Sequence, residues 1–304
     1  MAVILMGDIA KSRRAVTNTA LKRLINQREP KVAYFFARMW RTQQNAISYA
    51  DLQRMVVTGA IDEEIMQRWY DDYSKFVVDR LYPVWRDMME EAGGALARRF
   101  PTFSFDPDME SVAQYTAQHA AELVTYSTGQ QIEAIRAMVQ RASVVQDMTV
   151  DSLAYMIRPT IGLYKGQAVA NLNYYNNVKQ SLLKNNPRMR VATAEKRARE
   201  AAARYAAKQH RYRAHMIART ELAFAYNMGE YQSVRQAQTQ GLIGECVKEW
   251  VTAADDRVCS RCKEMDGVRI PLDATFPNGA VVPPLHPHCR CVYDVIEIAE
   301  ANFQ

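Results

Sequence analysis

Hydrophobic and polar residues alternate along most of the chain with a period of three to four positions, which is the period of an α-helix. From about residue 12 to residue 240, glycine and proline are sparse, while alanine, glutamine, arginine, methionine and leucine are abundant. One segment places aromatic and aliphatic residues at mostly three- and four-residue steps, at Tyr70, Tyr73, Phe76, Val77, Leu81 and Val84. This spacing predicts one buried helical face that contributes to a hydrophobic core.

Glycine and proline interrupt the helical pattern in the first half of the chain, at Gly93-Gly94 and between Pro101 and Pro107. A boundary between two helical regions fits there. We therefore expect an N-terminal helical region over residues 1–105, a helical core over 106–243, and a separate C-terminal module over 244–304.

Two helices are predicted most clearly in the helical core. The first begins near Tyr164 and ends at Asn185-Asn186-Pro187. The second runs from Thr193, which we expect to cap it, to about Gln238, and Gly241 and Gly244 follow its end.

The character of the sequence changes after Gly244. The segments 250–252 and 291–295 have the composition of β-strands, and the stretch between them is rich in glycine and proline. A turn-rich module of about sixty residues buries too little apolar surface to be stable on its own, so it needs another source of cohesion. We predict a mainly α fold, with a body of long helices and a small C-terminal α+β module.

Composition places the chain among ordinary folded proteins. Of its 304 residues, 48% are hydrophobic and 24% are charged, and the net charge is +6 with a pI near 9.0. This mild excess of positive charge suits a negatively charged partner. The apolar N-terminus has no basic region before it, and no run approaches the roughly 18 apolar residues of a membrane span. We expect a soluble protein that is made for the cytoplasm.

Four of the five cysteines fall within residues 259–291. A secreted disulfide scaffold would distribute its cysteines through the fold, so the clustering points to a metal instead. Cys246 stands apart, and we expect it to be a buried or inert thiol.

The clustered cysteines have the spacing of a zinc site. Cys259 and Cys262 form a Cys-x-x-Cys pair, and 23 residues later comes a second group with His286, His288, Cys289 and Cys291. A tetrahedral zinc ion takes two ligands from the second group. We favour Cys289 together with either His286 or Cys291, and we expect the zinc to be structural and to supply the cohesion that the small module lacks.

Three alternatives to structural zinc remain open at this stage. The same cysteines could form disulfides in an oxidising medium, or they could be unbound thiols in a packed loop. A catalytic zinc would need an acid–base residue, and neither the His-x-Glu with Pro-Cys-x-x-Cys of zinc deaminases nor His-Glu-x-x-His is present. Asp255 and Asp256 could serve as catalytic carboxylates, but a role in a turn is more common for such a pair.

No phosphate-binding loop, dinucleotide-binding glycine motif or nucleophile elbow occurs in the chain. The sequence therefore gives no positive case for an enzyme.

Basic residues lie along one face of the long predicted helix. Arg197, Arg204, Lys208, Arg211, His215 and Arg219 follow one another at steps of 7, 4, 3, 4 and 4 residues. At about 100° per residue these positions fall on a narrow stripe. The stripe is either a solvated helix face or a surface for an acidic partner, such as the phosphate backbone of DNA, which it would bind without sequence specificity.

Several motifs follow one another in an order that resembles a known family. They are Ile217-Ala218-Arg219-Thr220-Glu221-Leu222, Ala225-Tyr226-Asn227-Met228-Gly229, Trp250-x-Thr252, Asp256-Arg257-Val258-Cys259-x-x-Cys262, Asp266-Gly267, and Pro283-Pro284-Leu285-His286-Pro287-His288-Cys289-Arg290-Cys291. Together they resemble the phage head morphogenesis family, the Mu F-like minor head proteins. The match covers roughly residues 210–295, with a weaker similarity from Ile161-Gly162-Leu163 to Tyr174.

The resemblance implies a minor capsid protein of a bacteriophage that is associated with the portal vertex of the virion and assembled in the host cytoplasm. It implies the portal and major capsid proteins as partners, with double-stranded DNA as a further one, and neither a membrane nor a small-molecule substrate. Family members often carry a smaller polar residue at the position of His288, which favours His286 as the ligand of the family type.

The motif Arg219-Thr220-Glu221 is expected to be structural and to tie the long helix to the zinc module. The rival interpretation is a zinc-dependent, nuclease-like enzyme that processes nucleic acids, and the absence of a His-Asn-His type catalytic pair weakens it.

Overall fold

A computed structural model describes residues 6–144, 148–253 and 255–298 of the chain. Within these ranges the chain is mainly helical, and its strands form one small sheet near the C-terminus. The predicted fold class, a body of long helices with a small C-terminal α+β module, is confirmed.

The helices follow one another with short connections. In chain order they are α1 Met6–Ala46, α2 Tyr49–Thr58, α3 Glu63–Phe76, α4 Tyr82–Gly93, α5 Glu110–Val144, α6 Val150–Ile157, α7 Lys165–Asn185, α8 Val191–Thr239 and the single turn α9 Ser260–Lys263. Short 3-10 turns lie at Leu96–Arg98 and Arg158–Thr160. None of the helices in the described ranges is long and apolar enough to cross a membrane.

The sheet has three antiparallel strands in the order β2-β1-β3: β1 Cys246–Val251, β2 Arg269–Pro271 and β3 Val292–Glu297. The central strand β1 pairs along its full length with β3, from Cys246 opposite Glu297 to Val251 opposite Val292. The predicted strands near residues 250 and 291 are confirmed. Strand β2 was not predicted, because three residues are too few to show an alternating pattern of hydrophobic and polar positions.

The contacts of the chain divide it into two compact units. The sheet-containing unit comprises Met1–Val32, Leu81–Thr116 and His215–Gln304. The all-helical unit comprises Ala33–Arg80 and Ala117–Ala214. Helices α1, α5 and α8 are each divided between the two units.

The buried face predicted around residues 70–84 differs from the observed one. Tyr73, Phe76 and Leu81 are buried as expected, but Tyr70 is 40% exposed and Trp69 takes its place in the core. A π-helical turn at Val77–Leu81 follows α3. Because a π-helical turn has more residues per turn than an α-helix, it changes which residues face the core. A constant spacing of three or four residues therefore cannot predict the buried positions on both sides of it.

Helix α8 packs in the all-helical unit through alanines placed four residues apart: Ala194, Ala198, Ala202 and Ala206, each at most 1% exposed. Two of them, Ala198 and Ala202, join a core cluster that draws on α2, α3, α5, α6 and α7. Such small side chains let neighbouring helix backbones approach closely. Since helix α8 begins at Val191, the predicted N-terminal cap at Thr193 is wrong.

The C-terminal part of α8 is buried on nearly every side in the sheet-containing unit, where almost every residue from 221 to 237 is buried. A helix that is buried all round is the centre of its unit rather than its surface. The closest approach is at Gly229, where an added Cβ atom would lie 2.4 Å from the Cα atom of Met89 in α4. Only glycine fits this crossing without a shift of one helix.

Candidate metal centre

The Cys-x-x-Cys segment forms a tight turn at the start of α9. Cys259 occupies the N-cap position in an extended conformation, and its carbonyl accepts hydrogen bonds from the backbone of Cys262 at 3.1 Å and of Lys263 at 3.0 Å. This turn brings the two thiols to the same side of the chain. A small apolar cluster built on Trp250 and Phe276 surrounds them.

Five potential donor atoms meet beside this turn. The Nε2 atom of His286 lies 3.1 Å from Cys259 Sγ and 3.2 Å from Cys262 Sγ, and Cys262 Sγ lies 3.8 Å from Cys289 Sγ. The donors form two groups that could hold a metal ion, Cys259 with Cys262 and His286, and Cys262 with Cys289 and Cys291. Cys262 belongs to both groups and joins them.

The donor set fits zinc. Thiolates and an imidazole are the ligands that zinc prefers, and Zn–S bonds of about 2.3 Å in a tetrahedron place two sulfurs about 3.8 Å apart. The Cys262–Cys289 distance of 3.8 Å has that length. The distances from sulfur to His286 are shorter than the roughly 3.6 Å of a tetrahedral site, so an ion would move the imidazole outward slightly. All five cysteines are free thiols, and Cys246 is buried apart from the donors, as its isolated position in the sequence predicted.

The surroundings of the thiols favour the thiolate form of Cys289 and Cys259 and the neutral form of Cys262. Hydrogen bonds from the Cys291 thiol and from backbone N–H groups lower the pKa of Cys289 to about 5, and burial opposes them. Burial also opposes ionisation of Cys259, but the backbone N–H of Cys262 and its thiol outweigh it and lower the pKa of Cys259. Burial raises the pKa of Cys262 to about 12. Thiolates prepared in this way are suitable ligands for a cation.

His286 and His288 have different positions. Among the described residues, the donor groups include His286 and not His288. The backbone of His288 is left-handed, with φ of 61°, and its N–H donates to the Thr220 hydroxyl at 3.3 Å. Thr220, the middle residue of Arg219-Thr220-Glu221, therefore contacts the loop that carries the candidate ligands.

Two further contacts join α8 to the module, and both involve Asn227. The Asn227 side chain donates to the carbonyl of Pro283 at 3.1 Å, and the Tyr293 hydroxyl of β3 donates to the carbonyl of Asn227 at 3.2 Å. Asn227 and Pro283 lie in two of the motifs found in the sequence, but only the packing of the helix against the sheet shows that they contact each other and that Tyr293 joins them.

The acidic pair before the Cys-x-x-Cys segment contributes a structural ion pair. Both carboxylate oxygens of Asp255 accept from Arg290, at 2.5 and 2.6 Å, and the backbone N–H of Arg257 donates to Asp255 at 3.0 Å. The hydrogen bonds from Arg290 hold the pKa of Asp255 well below its usual range. Asp255 thus anchors the residue between Cys289 and Cys291.

Four of the six basic residues of the stripe lie on the exposed face of α8 in the all-helical unit: Arg197, Arg204, Lys208 and Arg211. The alanine ridge occupies a different side of the helix, so this part of the stripe faces solvent. No ion pair among the described residues involves any of the four.

The remaining basic positions of the stripe lie in the sheet-containing unit and are engaged by one carboxylate. Arg219 donates twice to Glu29 of α1, at 2.7 and 3.0 Å, and His215 Nδ1 lies 3.0 Å from the same side chain. Glu29 lies 190 positions before Arg219, and no sequence pattern connects the two.

Comparison with known proteins agrees with the motif order. A sequence model of the Phage Mu protein F like protein family matches residues 167–294, a range that includes most of α7, all of α8 and every candidate metal ligand. No curated protein and no solved structure matches the chain. The resemblance derived from the motifs is confirmed: over residues 167–294 the chain is similar to the Phage Mu protein F like family, which supports a relation to phage head morphogenesis proteins.

Proposed function

We propose that this protein is a structural minor component of a bacteriophage head, located in the virion at the portal vertex. The family match over residues 167–294 is the observation that carries this proposal. A chain built mainly of long helices suits a role in assembly, with the portal and major capsid proteins as partners. Mass spectrometry of purified particles and of isolated portal complexes tests the placement. Absence of the protein from both preparations would refute it.

The role that we propose is structural rather than catalytic. Asp255, the first residue of the acidic pair before the cysteine turn, is held by Arg290 at both carboxylate oxygens, which leaves it poorly suited to act as a base. Incubation of the purified protein with plasmid DNA and divalent metal tests this part. Cleavage that is lost on replacement of Asp256 or His288 would favour a nuclease instead.

We also propose that the C-terminal module binds one structural zinc ion through Cys259, Cys262, His286 and Cys289. These donors combine the two sulfurs of the α9 turn with the thiol that has the lowest pKa and with the imidazole nearest to the turn. Cys291 is the fifth donor and lies directly beside them. Bound zinc would hold the two ligand loops together in a module whose apolar cluster is small.

Metal analysis and thermal unfolding test the zinc proposal. The reduced protein is expected to hold one zinc per chain, and chelation is expected to lower the melting temperature. Cys259→Ser should lose the metal, whereas Cys246→Ser, the control at the remaining cysteine, should keep it. A protein that holds no stoichiometric metal, with a melting curve that chelation leaves unchanged, would refute the proposal.

We propose further that the exposed stripe Arg197, Arg204, Lys208 and Arg211 contacts the backbone of double-stranded DNA. The stripe spans 14 residues of helix, or about 21 Å, without a carboxylate partner for these four side chains in the described structure. Four phosphate contacts predict that the logarithm of the binding constant falls with the logarithm of salt concentration with a slope of about −3.6.

Paired charge-removal variants test the DNA proposal. Replacing Arg204 and Lys208 by glutamine should reduce the steepness of the salt dependence by about 1.8. Replacing Arg68 and Lys75, which are exposed on α3, removes the same charge elsewhere and should change it far less. Equal effects of the two double variants would refute a defined DNA surface on α8.

A further inference from the structure

The start of α7 has unused hydrogen-bond donors. Its N-cap residue Tyr164 is extended, with φ of −88° and ψ of 166°, and no side chain caps the helix. The first turn carries Lys165 and Gly166, both exposed, and contains no acidic residue. Backbone N–H groups at the start of a helix have no acceptor within the helix and favour an anion.

A buried cation that is not in an ion pair with any described residue lies beside this helix start. Arg213 of α8 is 3% exposed, and its Nε and Nη1 atoms are buried without a hydrogen-bond acceptor. Its guanidinium lies 5.8 Å from the ring centre of Tyr164 and 5.6 Å from that of Trp40. Contact with two rings offsets only part of the free-energy cost of removing a guanidinium from water, so binding of an anion to this group would be favourable.

The Tyr164 ring connects the two features. A Cβ atom added to Gly166 would lie 2.9 Å from the ring, so the ring rests on the first turn of α7 while Arg213 lies against it. The ring is 38% exposed. The preceding turn is fixed by Gly162, which has φ of +91° and stands so close to Trp40 that any Cβ atom would fall 2.3 Å from the indole.

We propose that the N-terminus of α7, Lys165 and Arg213 form a binding site for a phosphate group, with Tyr164 as its movable cover. Because the ring lies against both the guanidinium and the first turn of α7, its rotation would open the space between them to an oxyanion. A tetrahedral phosphate offers several acceptor oxygens, which suits donors that arrive from a helix end, an ammonium group and a guanidinium fork. The phosphate can be inorganic phosphate or part of a DNA backbone, and the site is separate from the exposed stripe on α8.

Thermal unfolding of the full chain in phosphate tests this site directly. At about 20 mM inorganic phosphate, compared with chloride at the same pH and ionic strength, the wild-type melting temperature should rise by about 3 °C. Arg213→Met keeps the apolar stem and should abolish the rise. Arg68→Met removes an exposed cation on α3, outside both proposed phosphate-binding surfaces, and should leave the rise intact.

Two additional arms complete the test. If Arg213→Met does not fold, Lys165→Met provides the test. It removes a surface charge at the same site and should reduce the rise in melting temperature that phosphate causes. No phosphate-specific rise in wild type, or a full rise in every folded variant at Arg213 and Lys165, would overturn the proposal.

Binding to a 20-base-pair duplex, measured in parallel, distinguishes the source of the phosphate. Weaker duplex binding by the Arg213 variant than by the Arg68 variant assigns the site to DNA. A phosphate-induced rise without that difference assigns it to free phosphate. Failure of the exposed stripe to bind DNA would leave the phosphate-induced rise unchanged, so the two proposals fail independently.

Discussion

Replacement of Gly229 by alanine sets two opposing effects against each other in the middle of α8. Alanine is the better helix former, and this substitution inside a helix ordinarily stabilises by up to about 1 kcal/mol. At Gly229, however, the added Cβ atom would lie 2.4 Å from the Cα, 2.6 Å from the carbonyl oxygen and 2.9 Å from the carbonyl carbon of Met89. These are backbone atoms of α4, so no side-chain rotation can relieve the overlap.

The clash should outweigh the gain in helix propensity. Atoms at these distances require one helix to move by roughly 1 Å, and overpacking of this kind typically costs about 1–3 kcal/mol. Because the moving group is an entire helix backbone, we expect the upper part of that range and a net destabilisation of about 2 kcal/mol. The residues around α4 and α8 would lose contacts as the helices separate.

Urea unfolding followed by circular dichroism and tryptophan fluorescence measures the effect. Gly129→Ala in α5 is the matched control, because nothing lies within 4 Å of the Cβ atom it would add. We expect the midpoint to fall for Gly229→Ala and to rise slightly for Gly129→Ala, with little change in slope. A Gly229→Ala protein as stable as wild type would show that the two helices are not in backbone contact.

Three further predictions concern the sheet-containing unit. Burial raises the pKa of Glu230 to about 8 from 4.5, with the charge of Asp294 adding to the effect. The neutral Glu230 carboxyl therefore contributes fully to the stability of the folded state below pH 4.5, and this contribution is lost as the pH rises to about 8. Glu230→Gln should have a higher free energy of unfolding than wild type by on the order of 2 kcal/mol at pH 8 and should differ little from it near pH 4.5. Thr220→Val removes the acceptor for the His288 N–H and should cost about 1–2 kcal/mol in urea unfolding, whereas Thr239→Val, which loses only a bond within α8, should cost less. At His288, with φ of 61°, alanine should be less stable than glycine by about 1 kcal/mol in the same assay, and equal stability would contradict the left-handed backbone.

Much of the secondary structure could be predicted from local pattern. Helix α7 was predicted from Tyr164 to Asn185 and is observed at Lys165–Asn185, and the long helix predicted from Thr193 to Gln238 is observed at Val191–Thr239. Few glycines and prolines interrupt either segment, so neighbouring residues all favour a helix. The π-helical turn at Val77–Leu81 was not predictable, because it changes the helical period without a glycine or proline to mark it.

The candidate metal ligands could be named from spacing, but their arrangement could not. Cys259, Cys262 and His286 form one group in space, and Cys289 and Cys291 form a second group with Cys262. Sequence spacing limits which residues can reach an ion, yet it leaves the choice between His286 and His288 to the backbone. That choice follows from the left-handed turn at His288, which directs its N–H to Thr220.

By itself the sequence determined the helical character of the chain, the candidate sulfur and imidazole donors near its C-terminus and the resemblance of its second half to a known family, because each depends on residues close together in the chain. Tertiary structure alone decided that Glu29 holds Arg219, that Gly229 lies against α4, and that Arg213 lies buried without an anion. These features depend on segments far apart in sequence, and only the close packing of their helices brings them into contact.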